Sequence, residues 1–165
     1  MSGIQEQLKL RIRAFGADPL AEFLLTYGFD YAIGPQTFAG PRGTPKECFH
    51  NAAHLAIDNP ALTYCEGKIA VHGVAIDHAW CIDGAGVVVD PTLTQGINGD
   101  FERVLGYFGV PFITEYVCKA ALRNGRYCLL DGYYARETLP KLLELGHLGG
   151  MQWLLQQPRN RKNRK

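Results

Sequence analysis

A chain of 165 residues with 47% hydrophobic and 20% charged residues supports one domain with a buried core and is too short for two comfortable ones. The net charge of +1 becomes −4 once the five cations Arg159, Arg161, Lys162, Arg164 and Lys165 are set aside, so the mildly acidic body gives no compositional reason to expect nucleic-acid binding, and the tail alone could touch phosphate or an acidic partner. The opening run MSGIQEQLKLRIR lacks the apolar segment of a signal peptide, and no stretch reaches the roughly 20 apolar residues of a membrane helix, which predicts a cytoplasmic protein with no membrane partner.

Cysteine usage agrees with that compartment. Cys48, Cys65, Cys81, Cys118 and Cys128 are odd in number and contain no CxxC pair. The expectation is free thiols, at most one of them reactive, with neither a disulfide framework nor a thiolate zinc site. The expected organisation is one domain over residues 1–157 and a basic, disordered tail over 158–165.

Ile4, Leu8, Leu10, Ile12 and Phe15 recur among charges and predict an amphipathic helix over residues 4–14. A second helix is expected from Pro19 to Tyr27. The Gly- and Pro-rich stretch over residues 28–43 reads as a long ordered loop. Thr44-Pro45-Lys46-Glu47 fits a capping box with Thr44 as N-cap and proline at the first helical position. The helix it opens runs through Cys48 to Ile57 and stops at Asn59-Pro60. Strands are expected over Leu62 to Glu66, Ile69 to Ile76, His78 to Ile82 and Val87 to Asp90, the last two joined by a hairpin at Asp83-Gly84-Ala85-Gly86. Helices are then expected near 101–107, 114–123, 140–145 and 151–156. Helices, an antiparallel meander and helices again define an α+β domain. Phe108, Phe112, Tyr107, Tyr116, Tyr127, Tyr133 and Tyr134 make the second half aromatic-rich, which core packing explains.

A thiol becomes a useful nucleophile as a thiolate, which a helix N-terminus or a neighbouring histidine favours. Cys48 falls in the first turn of a predicted helix, where the dipole favours an anion and the unpaired N–H groups can receive an oxyanion. His78 is the expected partner. Asp90 lies at the same end of the expected hairpin ladder and can accept from the far ring nitrogen of His78. Trp80 shares the face of His78 and can wall the site. Asn51 and Glu66 are the further candidates for support, Glu66 as a polar anchor near the site.

Glu47-Cys48-Phe49 at a helix start, His78-Ala79-Trp80 on a strand, and Gly86-Val87-Val88-Val89-Asp90-Pro91-Thr92 resemble the transglutaminase-like core of the papain-like cysteine superfamily. The similar region runs from about Thr44 to Thr92. Tyr64-Cys65-Glu66-Gly67 is also similar to the strand preceding the histidine in small bacterial and phage-encoded members. The resemblance implies a papain-like fold with the nucleophile helix packed on an antiparallel sheet. It also implies Cys48 as nucleophile, His78 as base and Asp90 as orienter. The calcium-binding loops of animal transglutaminases have no counterpart, and Gln36 does not align with the family's oxyanion residue.

The expected activity is a cysteine-dependent hydrolase, acting on a protein or peptide-like amide through an acyl-enzyme and needing no cofactor. Acyl transfer or deamidation on the same residues is the alternative within enzymes. A non-catalytic phage or bacterial binding module is the alternative outside them. His50 and His54 stand four apart on the Cys48 helix and could hold zinc, but Asn51 replaces the glutamate of the H-E-x-x-H pattern, and a plain helix face is the preferred reading.

Overall fold

The computed structural model describes residues 3–33, 43–93 and 104–130. Over these residues the chain forms four helices and one five-stranded sheet. The elements are α1 (Gly3–Phe15), α2 (Pro19–Tyr27), β1 (Phe29–Tyr31), α3 (Cys48–Asp58), β2 (Thr63–Val71), β3 (Val74–Ile82), β4 (Val88–Val89), β5 (Val104–Phe112) and α4 (Thr114–Asn124). The sheet order is β1-β5-β2-β3-β4, with every paired neighbour antiparallel. The α+β class follows directly. Gln36, the predicted helices at 140–145 and 151–156, Tyr133, Tyr134 and the basic tail lie outside the described residues.

The sheet curls until its two edges meet. Ala32, just past β1, bridges Val87, just before β4, and the Val88 amide donates to the Ala32 carbonyl at 3.1 Å. Strand alternation divides the side chains between two cores. The concave interior holds Tyr31, Cys65, Ile69, Trp80, Val88 and Tyr107. The convex face, bearing Tyr64, Ala79, Cys81, Phe108, Val110 and Phe112, is covered by the helices. α3 lays Ala52, Ala53 and Ala56 over this face. These small side chains bring the helix close enough for the Cys81 thiol to donate to the Ala52 carbonyl at 3.2 Å.

Local chemistry explains most boundaries. Asp18 caps α2 by accepting from the Ala21 amide at 3.0 Å, with Pro19 at the first helical position. The expected break between residues 66 and 69 does not occur, and β2 is one strand. The turn falls instead at His72-Gly73, inside the expected strand 69–76. His72 has φ 49° and Gly73 φ 79°, the two left-handed residues of a tight hairpin, and Val71 pairs with Val74 across it. The β3–β4 connection is wound by Asp83, whose carboxylate accepts from the Ala85 and Val87 amides, both at 2.9 Å.

Two further expectations are corrected. Residues 104–112 form a strand, where a helix was expected near 101–107. β5 lies between β1 and β2, and Gly109 passes Gly67 so closely that a Cβ on Gly109 would stand 2.2 Å from the Glu66 carbonyl oxygen. The Thr44 capping box does not form either. α3 starts at Cys48 with Glu47 as N-cap and no side-chain cap, while Pro45 and Lys46 make a turn with Lys46 at φ 69°. The cause is Asn51, whose side chain takes both polar groups of the Thr44 backbone: the Thr44 amide donates to Oδ1 at 3.0 Å, and Nδ2 donates to the Thr44 carbonyl at 2.7 Å.

Candidate active site

Because α3 begins at Cys48, the cysteine occupies the first helical position rather than the fourth. The first intrahelical bond runs from the Asn51 amide to the Glu47 carbonyl at 2.8 Å. The amides of Cys48, Phe49 and His50 therefore precede the helical ladder, at the positive end of the dipole. Two contacts tie this helix start to the chain after β4. The Gly43 amide donates to the Pro91 carbonyl at 3.0 Å, and Asn51 Nδ2 donates to Thr92 Oγ1 at 3.0 Å. Asn51 thus fixes two loops beside the start of α3, and it is buried while doing so.

His78 lies within β3 and faces the concave side together with Trp80. β4 pairs Val89 with Cys81, which brings Asp90, the next residue, level with Trp80 and diagonal to His78. The His78 Nε2 to Asp90 Oδ2 distance is 2.7 Å. Asp90 also accepts from the Thr92 amide at 2.8 Å and the Leu93 amide at 2.9 Å on Oδ1, and from the Tyr107 hydroxyl at 2.9 Å on Oδ2. An ionised carboxylate only accepts, so Nε2 carries a hydrogen and Nδ1 is left for the second partner of the ring. Cys48 is the other group that acts on the ring, raising its pKa together with Asp90. Cys48, His78 and Asp90 are all buried, and His78 interacts with both of the others.

Electrostatics follow from these contacts. Burial pulls the His78 pKa down, but the hydrogen bonds and charges of Asp90 and Cys48 outweigh it and push the ring up to about 9. Burial pushes the Asp90 carboxyl up, and its hydrogen bonds to His78, the His78 charge and the Leu93 and Thr92 amides more than reverse that and hold it below the usual carboxylate range. An ion pair in the interior is tolerated when each remaining lone pair has a donor, and Asp90 meets that condition.

Trp80 is fully buried and stacks near His78, with centroids 6.5 Å apart and planes 12° from parallel. Its indole Nε1 has no hydrogen-bond partner among the described residues. Tyr107 completes this wall, edge-on to Trp80 at 5.1 Å. Sequence reasoning treats Tyr107 as core aromatic and misses its bond to Asp90. The signal available is the run Val104-Leu105-Gly106-Tyr107-Phe108-Gly109-Val110, whose two glycines and β-forming residues disfavour a helix.

Glu66 sits elsewhere. It is opposite Ala79 in the register, so it faces the helices while His78 faces the interior. It is buried and accepts from the Tyr64 hydroxyl at 2.7 Å, the Leu129 amide at 2.6 Å and the Leu130 amide at 2.8 Å. Burial outweighs these bonds and pushes its carboxyl up to about 7. It anchors the chain after α4. His50 and His54 pack on each other and on Tyr127, with the Tyr127 hydroxyl 3.1 Å from His54 Nε2. No group of three His, Cys, Asp or Glu side chains suited to a metal converges among the described residues. No helix there is long and apolar enough to cross a membrane.

Comparison with known proteins gives no counterpart: the chain matches no family model, no curated protein and no solved structure.

Proposed function

We propose that this chain is a cysteine-dependent hydrolase of amide bonds in proteins or peptide-like substrates, with Cys48 as nucleophile, His78 as acid and base, and Asp90 as the group that orients His78. The observation that carries this reading is the His78 ring held between Asp90, at 2.7 Å, and the Cys48 thiol at the first position of α3. Cys48 gives its thiol proton to His78. Its sulfur attacks the substrate carbonyl carbon, the C–S bond forms, and the oxyanion is received by first-turn amides. The C–N bond then breaks, and His78 gives its proton to the leaving amine. Water adds to the thioester, losing a proton to His78, and the carboxylic acid departs as the thiolate returns. The chemistry calls for no cofactor. An amine in place of water gives acyl transfer, and ammonia as leaving group gives deamidation.

The order of Cys48, His78 and Asp90 on helix, strand and strand end also supports a transglutaminase-like, papain-like assignment. All five cysteines are unpaired, which supports work in a reducing cytoplasm.

The test is the alkylation rate of each cysteine by iodoacetamide at about pH 6, where an ordinary thiol with a pKa of about 8.5 reacts slowly. Cys48 is expected to react first, ahead of the better exposed Cys118 and Cys128, and to slow by roughly ten-fold or more in His78→Ala. A Cys48 no faster than Cys118 overturns the reading in favour of a binding module on this fold.

A further inference from the structure

We propose that His50, His54 and Tyr127 form a surface site for one divalent first-row metal ion of the kind that favours imidazole, such as Zn²⁺, and that the bound ion ties α3 to the chain after α4. None of the three residues belongs to the Cys48, His78 and Asp90 set, so the site stands or falls independently of the catalytic reading.

The helix supplies the first two donors. Residues four apart in a helix share one face, and α3 is regular through both positions. The His50 and His54 rings lie against one another, with centroids 4.2 Å apart and planes tilted by 42°. Both residues are exposed, so an ion has an open path to them. This pair alone is a common feature of a solvated helix face. The third group distinguishes it, and it comes from far along the chain.

Tyr127 stands edge-on to both rings, 5.3 Å from each, and its hydroxyl oxygen is 3.1 Å from His54 Nε2. Zn²⁺ holds nitrogen and oxygen ligands at about 2.1 Å, and two such ligands 3.1 Å apart subtend about 95° at the ion, between the octahedral and tetrahedral angles. The two atoms are therefore already spaced as neighbouring ligands of one ion, which takes the place of the hydrogen between them. Tyr127 does not have to be recruited. Its carbonyl accepts from the buried Tyr64 hydroxyl at 3.2 Å, and the Leu129 and Leu130 amides just beyond it are held by the buried Glu66. Outer support of this kind fixes ligands and raises affinity. Three protein donors with solvent in the remaining position make an open site, and two imidazoles select Zn²⁺ or Cu²⁺ over Mg²⁺ and Ca²⁺. On binding, the imidazoles contribute lone pairs, the metal–oxygen bond forms, and the phenol proton passes to the buffer.

The test is a Zn²⁺ titration of the full, reduced and metal-free chain at neutral pH. One ion per chain is expected to bind in the micromolar range, to raise the unfolding temperature, and to give the near-ultraviolet absorbance change of one tyrosine becoming tyrosinate. Mg²⁺ should do none of these. His50→Ala and His54→Ala should each weaken binding by roughly ten-fold or more. Both side chains are exposed, so the metal-free variants should unfold as wild type does, and a lost affinity then reads the ligand and not the fold. Tyr127→Phe keeps the ring against the two histidines; it should weaken binding to a similar degree and abolish the tyrosinate signal. Because thiolates also hold zinc, Cys48→Ser/Cys128→Ser is the control and should keep both affinity and signal. Binding that is only millimolar overturns the site, as does an affinity unchanged in either histidine variant or in Tyr127→Phe. An affinity that is lost in the double cysteine variant places the ion on a thiolate and overturns it as well.

Discussion

Asp90 accepts four hydrogen bonds while fully excluded from water. A carboxylate in that position costs several kcal/mol unless donors replace its hydration. Here the Thr92 and Leu93 amides hold one oxygen and Tyr107 and His78 share the other. Asp90→Asn keeps the shape but replaces one acceptor oxygen with an NH₂ donor that faces a donor, and it leaves the His78 charge uncompensated. The expected result is a loss of about 3–5 kcal/mol in urea unfolding, with Cys48 alkylation at pH 6 falling at least as far as in His78→Ala. Tyr107→Phe separates mechanics from charge. It removes one hydroxyl and keeps the ring against Trp80, so it should cost about 1–3 kcal/mol and leave Cys48 the fastest cysteine. A Tyr107→Phe protein as unreactive as Asp90→Asn would mean that the hydroxyl, and not only the carboxylate, sets the His78 ring.

The helix start and the central strands show what is local in this sequence and what is not. Cys48, His78 and Asp90 are legible because each stands in a short motif whose chemistry is complete within a few residues: a helix start, a strand histidine, a hairpin end. The Thr44 cap is not legible, because Thr44 is taken by the Asn51 side chain on the facing turn, a bond that sequence spacing does not distinguish from a capping box. β5 is misread for the opposite reason. Its conformation is set by pairing with Tyr31 and Ile69, far away in the chain, and tertiary pairing overrides weak local preference. The hairpin at His72-Gly73 is missed because histidine is an uncommon left-handed residue. Two substitutions test these elements. Asn51→Ala removes three hydrogen bonds to Thr44 and Thr92 and should cost about 1–3 kcal/mol while loosening the turn that presents Cys48. Gly109→Ala sets a Cβ 2.2 Å from the Glu66 carbonyl oxygen and 2.7 Å from the Trp80 ring, and should abolish cooperative folding. Gly84→Ala, with nothing within 4 Å of the added carbon, should stay within about 0.5 kcal/mol of wild type.

Across the described residues, Asp90, His78 and Glu66 are buried groups that shape stability between acid and mildly basic pH, and their signs decide the curve. Asp90 has a folded pKa below its ordinary 3.8, so its contribution is present above about pH 4 and is lost as pH falls through the folded value. His78 is raised from 6.5 to about 9. The folded protein holds a proton that the unfolded chain releases, so this contribution is full below 6.5 and is lost as pH rises to 9. Glu66 is raised from 4.5 to about 7, chiefly by burial, and it too favours the folded state most when protonated, below 4.5. The three together place the best stability on the acid side, near pH 4–5, with a decline towards pH 9 in two limbs. One linked proton gives each limb a slope of at most about 1.4 kcal/mol per pH unit. Urea unfolding between pH 4 and 9 measures this. Glu66→Gln should flatten the limb between 4.5 and 7 and leave the upper one. His78→Asn should flatten the limb between 6.5 and 9 and leave the lower one. Because Glu66 faces the helices and His78 the concave interior, on opposite sides of the sheet, the two effects should add in the double variant. A lower limb that disappears in His78→Asn as well would mean that the two protonations are coupled through the sheet, and that the segment held by Glu66 at Leu129 and Leu130 responds to the charge state of the Cys48–His78 pair.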